Sequence, residues 1–146
     1  PALRARRLLD FALADLRRSA VATQPPTLKE LEQRMYGRLA DLPDKAEPLQ
    51  RSQLIAALTV GNEVVQLRRI SALLPLDPEL NTALSALAEG NSEQAIAQLA
   101  ALDRRLATFS GREADARLSL RARARILIIS EAITQHAPYF DAEVAA

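Results

Sequence analysis

The sequence predicts an all-α protein, an antiparallel up-and-down bundle of five or six helices. Three observations predict it. Leucine, alanine and arginine recur at three- and four-residue spacing along most of the chain, the period of a helix with one buried face. Helix-breaking and helix-starting residues punctuate that pattern at Pro25-Pro26, Pro43, Pro75, Pro78, Gly90 and Pro138. Aromatic residues make up only 3% of the chain, and runs of Val, Ile, Thr and aromatics bounded by turns are few, so strands have little support. Short connections between long helices favour antiparallel neighbours. At 146 residues the chain, 1–146, reads as a single helical domain.

The first helix is expected over residues 2–23. Leu9, Leu13, Leu16 and Ala20 form its inner stripe, widened by Leu8 and Phe11, and Gln24-Pro25-Pro26 stops it. Thr27 and Glu30 make a capping box, in which each side chain satisfies an orphan backbone N–H. The second helix then turns Leu28, Leu31, Met35, Leu39 and Leu42 inward, up to Pro43-Asp44. A third helix starts at Asp44 or at Pro48, proline suiting the first turn, and reaches Leu74 before Pro75. Asp77 is the expected N-cap of a fourth helix lined by Leu80, Ala83, Leu84 and Leu87. Gly90 fits its left-handed C-terminal cap. Asn91 or Ser92 caps a fifth helix with Ile96, Leu99, Leu102, Leu106 and Phe109 inward. This pair resembles one tetratricopeptide unit, but such repeats need about three copies to stack, and no second copy follows. A second capping box, Ser110 to Glu113, opens a sixth helix through Gln135, closed by Pro138. Its expected inner face is Leu120, Ala124, Leu127 and Ile128, with Ile129 and Ile133 flanking.

Gly61-Asn62 lies in the middle of the third helix. A helical glycine costs about 1 kcal/mol against alanine, and close approach of another helix is the usual compensation. Gly61 is therefore the expected crossing point of the first or sixth helix, and Asn62 the position for a buried hydrogen bond.

The bulk numbers exclude several functions. Nineteen Lys and Arg stand against 18 Asp and Glu, a balance unlike that of a general nucleic-acid binder. The absence of cysteine removes disulfides, thiolate metal sites and cysteine nucleophiles. No apolar run approaches the roughly 20 residues of a membrane span. Four glycines are too few and too scattered for a phosphate or dinucleotide loop. The one histidine, His136, falls near a helix C-terminus, where it packs or hydrogen-bonds. Asp10 and Asp15 lie five residues apart and point about 140° away from each other, so one helix cannot pair them as acid and base. An all-helical mutase-type site would need an inward lysine, and Lys29 and Lys45 both sit beside helix starts. The sequence predicts no enzyme, no cofactor and no metal.

The strongest charge feature is the run Arg112, Arg117, Arg121, Arg123 and Arg125, of which Arg117, Arg121 and Arg125 recur every four residues and make one ridge. Two readings apply: a solvated face pairing with acids elsewhere, or a docking surface for a partner protein or anionic lipid headgroups. A separate candidate is a carboxylate clamp from Arg34, Arg38 and Arg68.

Four segments carry a resemblance to a known family. They are the opening Arg-Leu-Leu-Asp-Phe-Ala-Leu-Ala-Asp-Leu-Arg-Arg of residues 7–18, and Arg-Met-Tyr-Gly-Arg-Leu-Ala-Asp-Leu of residues 34–42. The others are Leu-Thr-Val-Gly-Asn-Glu-Val-Val-Gln-Leu-Arg of residues 58–68, and His-Ala-Pro-Tyr-Phe of residues 136–140. In this order they resemble the C-terminal soluble region of the fusaric-acid-resistance family of membrane proteins, which includes aromatic carboxylic acid exporters. Gly37 replaces a commonly acidic position, and Asn62 and two valines also depart from the pattern. The resemblance implies a piece of a longer efflux transporter in a bacterial inner membrane, with this domain on the cytoplasmic side. The basic residues Arg4, Arg6 and Arg7 suit that side of a span. Its implied partners are the transmembrane part of the same protein, sibling subunits and, through the parent protein, a periplasmic adaptor. No site residues follow from the family. The expected function is a cytosolic interaction or assembly domain. The alternatives are an organic-acid-sensing module using the clamp and the effector half of a helical transcription regulator.

Overall fold

The helices turn their buried faces toward one another, and these meet around a single core. The computed structural model describes residues 2–21, 33, 48–108 and 113–141. Among these stand α1 (Ala2–Val21), α2 (Pro48–Ser71), α3 (Asp77–Ala88), α4 (Ser92–Ala107), α5 (Glu113–Gln135) and the short α6 (Ala137–Asp141), with no strand among the described residues. Apart from Gln33, which is helical and exposed, the expected helix over residues 27–42 lies outside the described residues, as do Arg34, Arg38 and both capping-box threonine and serine positions, Thr27 and Ser110. α1 packs on α2 and α3, α2 on α5, α5 on α4, and α4 on α3, so the five long helices close a ring. Leu13, Leu54, Leu67, Leu80, Leu102 and Phe140 fill its interior. A fully buried leucine contributes about 1.5–3 kcal/mol.

In α1 the expected Leu9, Leu13 and Leu16 are buried, joined by Ala12. Phe11 is exposed, contrary to expectation. It stands two residues from both Leu9 and Leu13, which on a helix is the far side.

α2 begins at Pro48, the later of the two expected starts, and ends at Ser71, short of Leu74. The N–H groups of Leu73 and Leu74 both donate to the Ile70 carbonyl at 2.9 Å, closing the helix in a turn. Leu74 and Leu76 are buried, so the connection is anchored in the core. Ten of the 24 residues of α2 are buried, more than one stripe, because α1 and α5 flank it. Gly61 is among the ten. Gly61→Leu is expected to lower stability by about 1–3 kcal/mol through overpacking, read as a lower urea midpoint. A neutral result would mean that the space beside it accepts a side chain. Asn62 does not fulfil its expectation: it is half-buried and makes no side-chain hydrogen bond among the described residues.

The N-cap of α3 is Leu76, without a side-chain cap, and not Asp77. Asp77 is the first helical residue, and with Glu79 it places negative charge in the first turn, where the helix dipole favours it. The buried face is the expected one, Leu80, Ala83, Leu84 and Leu87, extended by Ala86. At the C-terminus Gly90 takes φ +76°, the left-handed region. Its N–H donates to the Leu87 carbonyl and that of Asn91 to the Ala86 carbonyl, the paired bonds of a Schellman motif. Asn91 then caps α4, its Oδ1 accepting from the Gln94 N–H at 3.1 Å. Ala95, Leu99, Leu102 and Leu106 are the buried face of α4, and Ile96 is half-buried.

α6 ties the last described residues to the first helix. The Tyr139 hydroxyl donates to the Leu9 carbonyl at 2.8 Å, and Arg17 Nη2 donates to the Phe140 carbonyl at 2.8 Å. The Asp141 carboxylate accepts from both the N–H and the hydroxyl of Ser92, at 2.8 and 2.9 Å, at the start of α4. A Cβ at residue 90 would come within 3.3 Å of Arg17 Nη2 and of the Asp141 carbonyl oxygen. The left-handed φ is what favours glycine there, and a side chain would also crowd these two neighbours.

Candidate functional site

α5 is where sequence expectation and structure differ most. Its buried stripe is Ser119, Ala122, Ile126, Ile129 and Ile133. Three of the four residues expected inward are large and stand in solvent: Leu120 is 64% exposed, Leu127 59% and Ile128 41%. Ala124, the fourth, is exposed as well. The cause is that α5 is apolar on nearly all sides between Leu118 and Ile129, so two stripes compete and period alone does not choose. Polar contacts show which one won. Arg125 Nη1 meets Glu63 Oε2 at 2.8 Å on the α2 side, and Arg123 Nε meets Asp103 Oδ1 at 2.9 Å on the α4 side. Ser119, on the buried stripe, donates its hydroxyl to the Leu106 carbonyl at 2.9 Å.

The outward stripe borders two grooves. One, of about 420 Å³, lies between α4 and α5 and includes Leu120, Ala124 and Leu127 opposite Ile96 and Ala100. The other, of about 340 Å³, lies between α2 and α5, where Ile128 and Glu131 face Ser52, Ile55 and Thr59. Ile55 is itself exposed. His136 lies at the end of α5, lines the second groove, and accepts the N–H groups of Tyr139 and Phe140 on its carbonyl.

The arginine ridge divides. Arg117 and Arg121 are exposed, whereas Arg125 is turned into the molecule onto Glu63. Helix geometry explains it: each four-residue step advances about 40° around the axis, so the third arginine reaches the flank packed on α2. Glu63 is nearly buried, with a side chain 10% exposed against 30% for Arg125. It escaped the sequence reading, although Val60 and Leu67, three residues before and four after it, mark it as lying on the inner face of α2.

Of the expected carboxylate clamp, only Arg68 is among the described residues. Arg34 and Arg38 lie outside them, and Arg68 donates Nη1 to Asn81 Oδ1 at 3.4 Å. Asp10 is exposed on α1. A third ion pair joins α4 to the start of α3: Arg105 forks onto both oxygens of Glu79, at 2.8 and 2.7 Å, and reaches the Pro75 carbonyl at 2.6 Å. The hydrogen-bonded Arg105 guanidinium holds the Glu79 carboxyl below the usual carboxylate range, outweighing its partial burial. Its stabilising contribution is therefore present at neutral pH and fades as pH falls through the lowered value.

No group of three or more His, Cys, Asp or Glu side chains converges as a metal site among the described residues. No helix among them is long and apolar enough to cross a membrane. Comparison with family models, with curated proteins and with solved structures finds no match to this chain.

Proposed function

We propose that the chain is a helical interaction and assembly module acting through the outer face of α5. The observation that carries this reading is the placement of Leu120, Leu127 and Ile128 together in solvent, continued by Ile55 across the adjoining groove. Single exposed leucines are ordinary. A contiguous apolar patch rimmed by charge marks a binding surface, because leaving it in water forgoes the stabilisation that burial provides. Arg117, Arg121 and Glu131 form the rim here. The arginine ridge supports the role in a reduced form, with Arg125 serving the fold.

The setting of this module comes from the four family-like segments. In it, the module belongs to a bacterial inner-membrane efflux protein for fusaric-acid-like or aromatic organic acids and lies on the cytoplasmic side. Its partners there are sibling subunits and the transmembrane part of the same protein. Leu127→Lys tests the whole reading in cells carrying the natural protein. The side chain is already in water, so the fold is expected to lose no more than about 0.5 kcal/mol. Resistance of those cells to fusaric acid is expected to fall. Unchanged resistance at equal expression would remove the transport role.

A further inference from the structure

We propose that the partner of this face is a second copy of the same chain, with the two α5 helices packed antiparallel across a two-fold axis beside Ala124. The inference rests on reading the outer face of α5 as an interaction surface. What it adds is the identity of the occupant, and the charge order along the helix supplies it.

An isologous pair must be complementary to itself. In an antiparallel pair centred on one residue, positions equally far before and after the centre come opposite each other. Arg117 and Glu131 stand seven residues before and seven after Ala124. Seven residues are within about 20° of two full turns, so both lie on the same line of the surface as Ala124, about 10 Å to either side of it. Arg117 therefore meets the partner's Glu131, and the contact occurs twice. Both residues are exposed, and Glu131 makes no ion pair among the described residues.

The apolar residues obey the same symmetry. Leu120 and Leu127 lie on the α4 side of the line, four residues before and three after the centre, so Leu120 comes against the partner's Leu127 and the reverse. On the α2 side, the stem of Arg121 covers the partner's Ile128, leaving its charged end at the rim. The residue at the axis is alanine, which permits two helices to approach within the lower part of the usual 8–10 Å range. A membrane surface would ask for basic residues at both ends of the stripe, and an acid occupies one of them. A nucleic acid would be repelled by the same acid.

Sedimentation equilibrium of the full 146-residue chain tests this. A reversible monomer–dimer equilibrium is expected. Arg117→Glu and Glu131→Arg should each weaken it by about tenfold or more, because each sets like charges opposite one another. The two substitutions together should restore dimerisation to within a few-fold of the parent, which a general loss of folding would not do. Leu127→Lys should abolish the dimer while the circular dichroism stays helical. A chain that is monomeric up to about 100 µM overturns the proposal. So does a double variant no tighter than the singles. A monomer whose melting temperature drops on Leu127→Lys marks the face as covered by the chain's own residues, which also overturns it. If the swap rescues the dimer while fusaric acid resistance ignores Leu127→Lys, the dimer stands and the transport role falls. If the chain is monomeric while resistance responds, the dimer falls and the interaction role stands with another partner.

Discussion

Arg125→Ala is expected to destabilise the protein by about 2–3 kcal/mol, while Arg121→Ala, one turn away, should change stability by no more than about 0.5 kcal/mol. The two arginines look equivalent in the sequence and are opposite in environment. Arg125 neutralises Glu63, whose side chain is only 10% exposed between α2 and α5. Removing the cation leaves a carboxylate without its partner in a low-dielectric setting, which for fully buried pairs costs about 3–5 kcal/mol. Arg125 itself keeps 30% of its side-chain exposure, so water enters when it is removed and the lower figure applies. Urea denaturation of both variants measures the difference. Glu63→Gln combined with Arg125→Ala should recover much of the loss, since no charge is then stranded. Equal effects of Arg121→Ala and Arg125→Ala would show that the ion pair is not what joins α2 to α5.

Phe140→Ala is expected to be the most damaging substitution at the C-terminal end, about 3–5 kcal/mol. The ring is fully buried and packs edge-on against Tyr139, centroids 5.4 Å apart at 64°. Its removal leaves a cavity inside the ring of helices and also loosens the turn that carries the Arg17 and Tyr139 hydrogen bonds to α1. The expected readout is one cooperative transition at lower denaturant. If α6 were only lightly attached, the main transition would keep its midpoint.

The hairpin of α3 and α4 was legible almost residue by residue. Gly90 and Asn91 are local signals whose meaning depends on a few neighbouring backbone atoms, and the buried leucines follow a single unambiguous stripe. The start of α3 was less so, because Leu76 takes the capping position on the strength of its burial, a tertiary effect that outranks the preference for aspartate. The stop of α2 three residues early has the same character, with Leu74 and Leu76 drawn into the core. α5 illustrates the opposite failure. Two apolar stripes satisfy the same period, and only contacts with Glu63 and Asp103, 62 and 20 residues distant in sequence, decide between them. The candidate site was therefore visible as a set of residues, Leu120, Ala124, Leu127 and Ile128, but assigned to the wrong side of the helix. Its arginines were recognised as a group, although one of them belongs to the interior.

The bonds from α6 to α1 have a consequence for how the molecule opens. Chain ends of most domains fray independently and give proteases their first foothold. Here Tyr139 and Arg17 join segments 130 and 123 residues apart along the chain. Loosening α1 breaks the hold on α6, and loosening α6 frees Asp141 from the start of α4. α1 and α6 are thus expected to loosen together, so opening this side of the ring should cost more than fraying either helix alone.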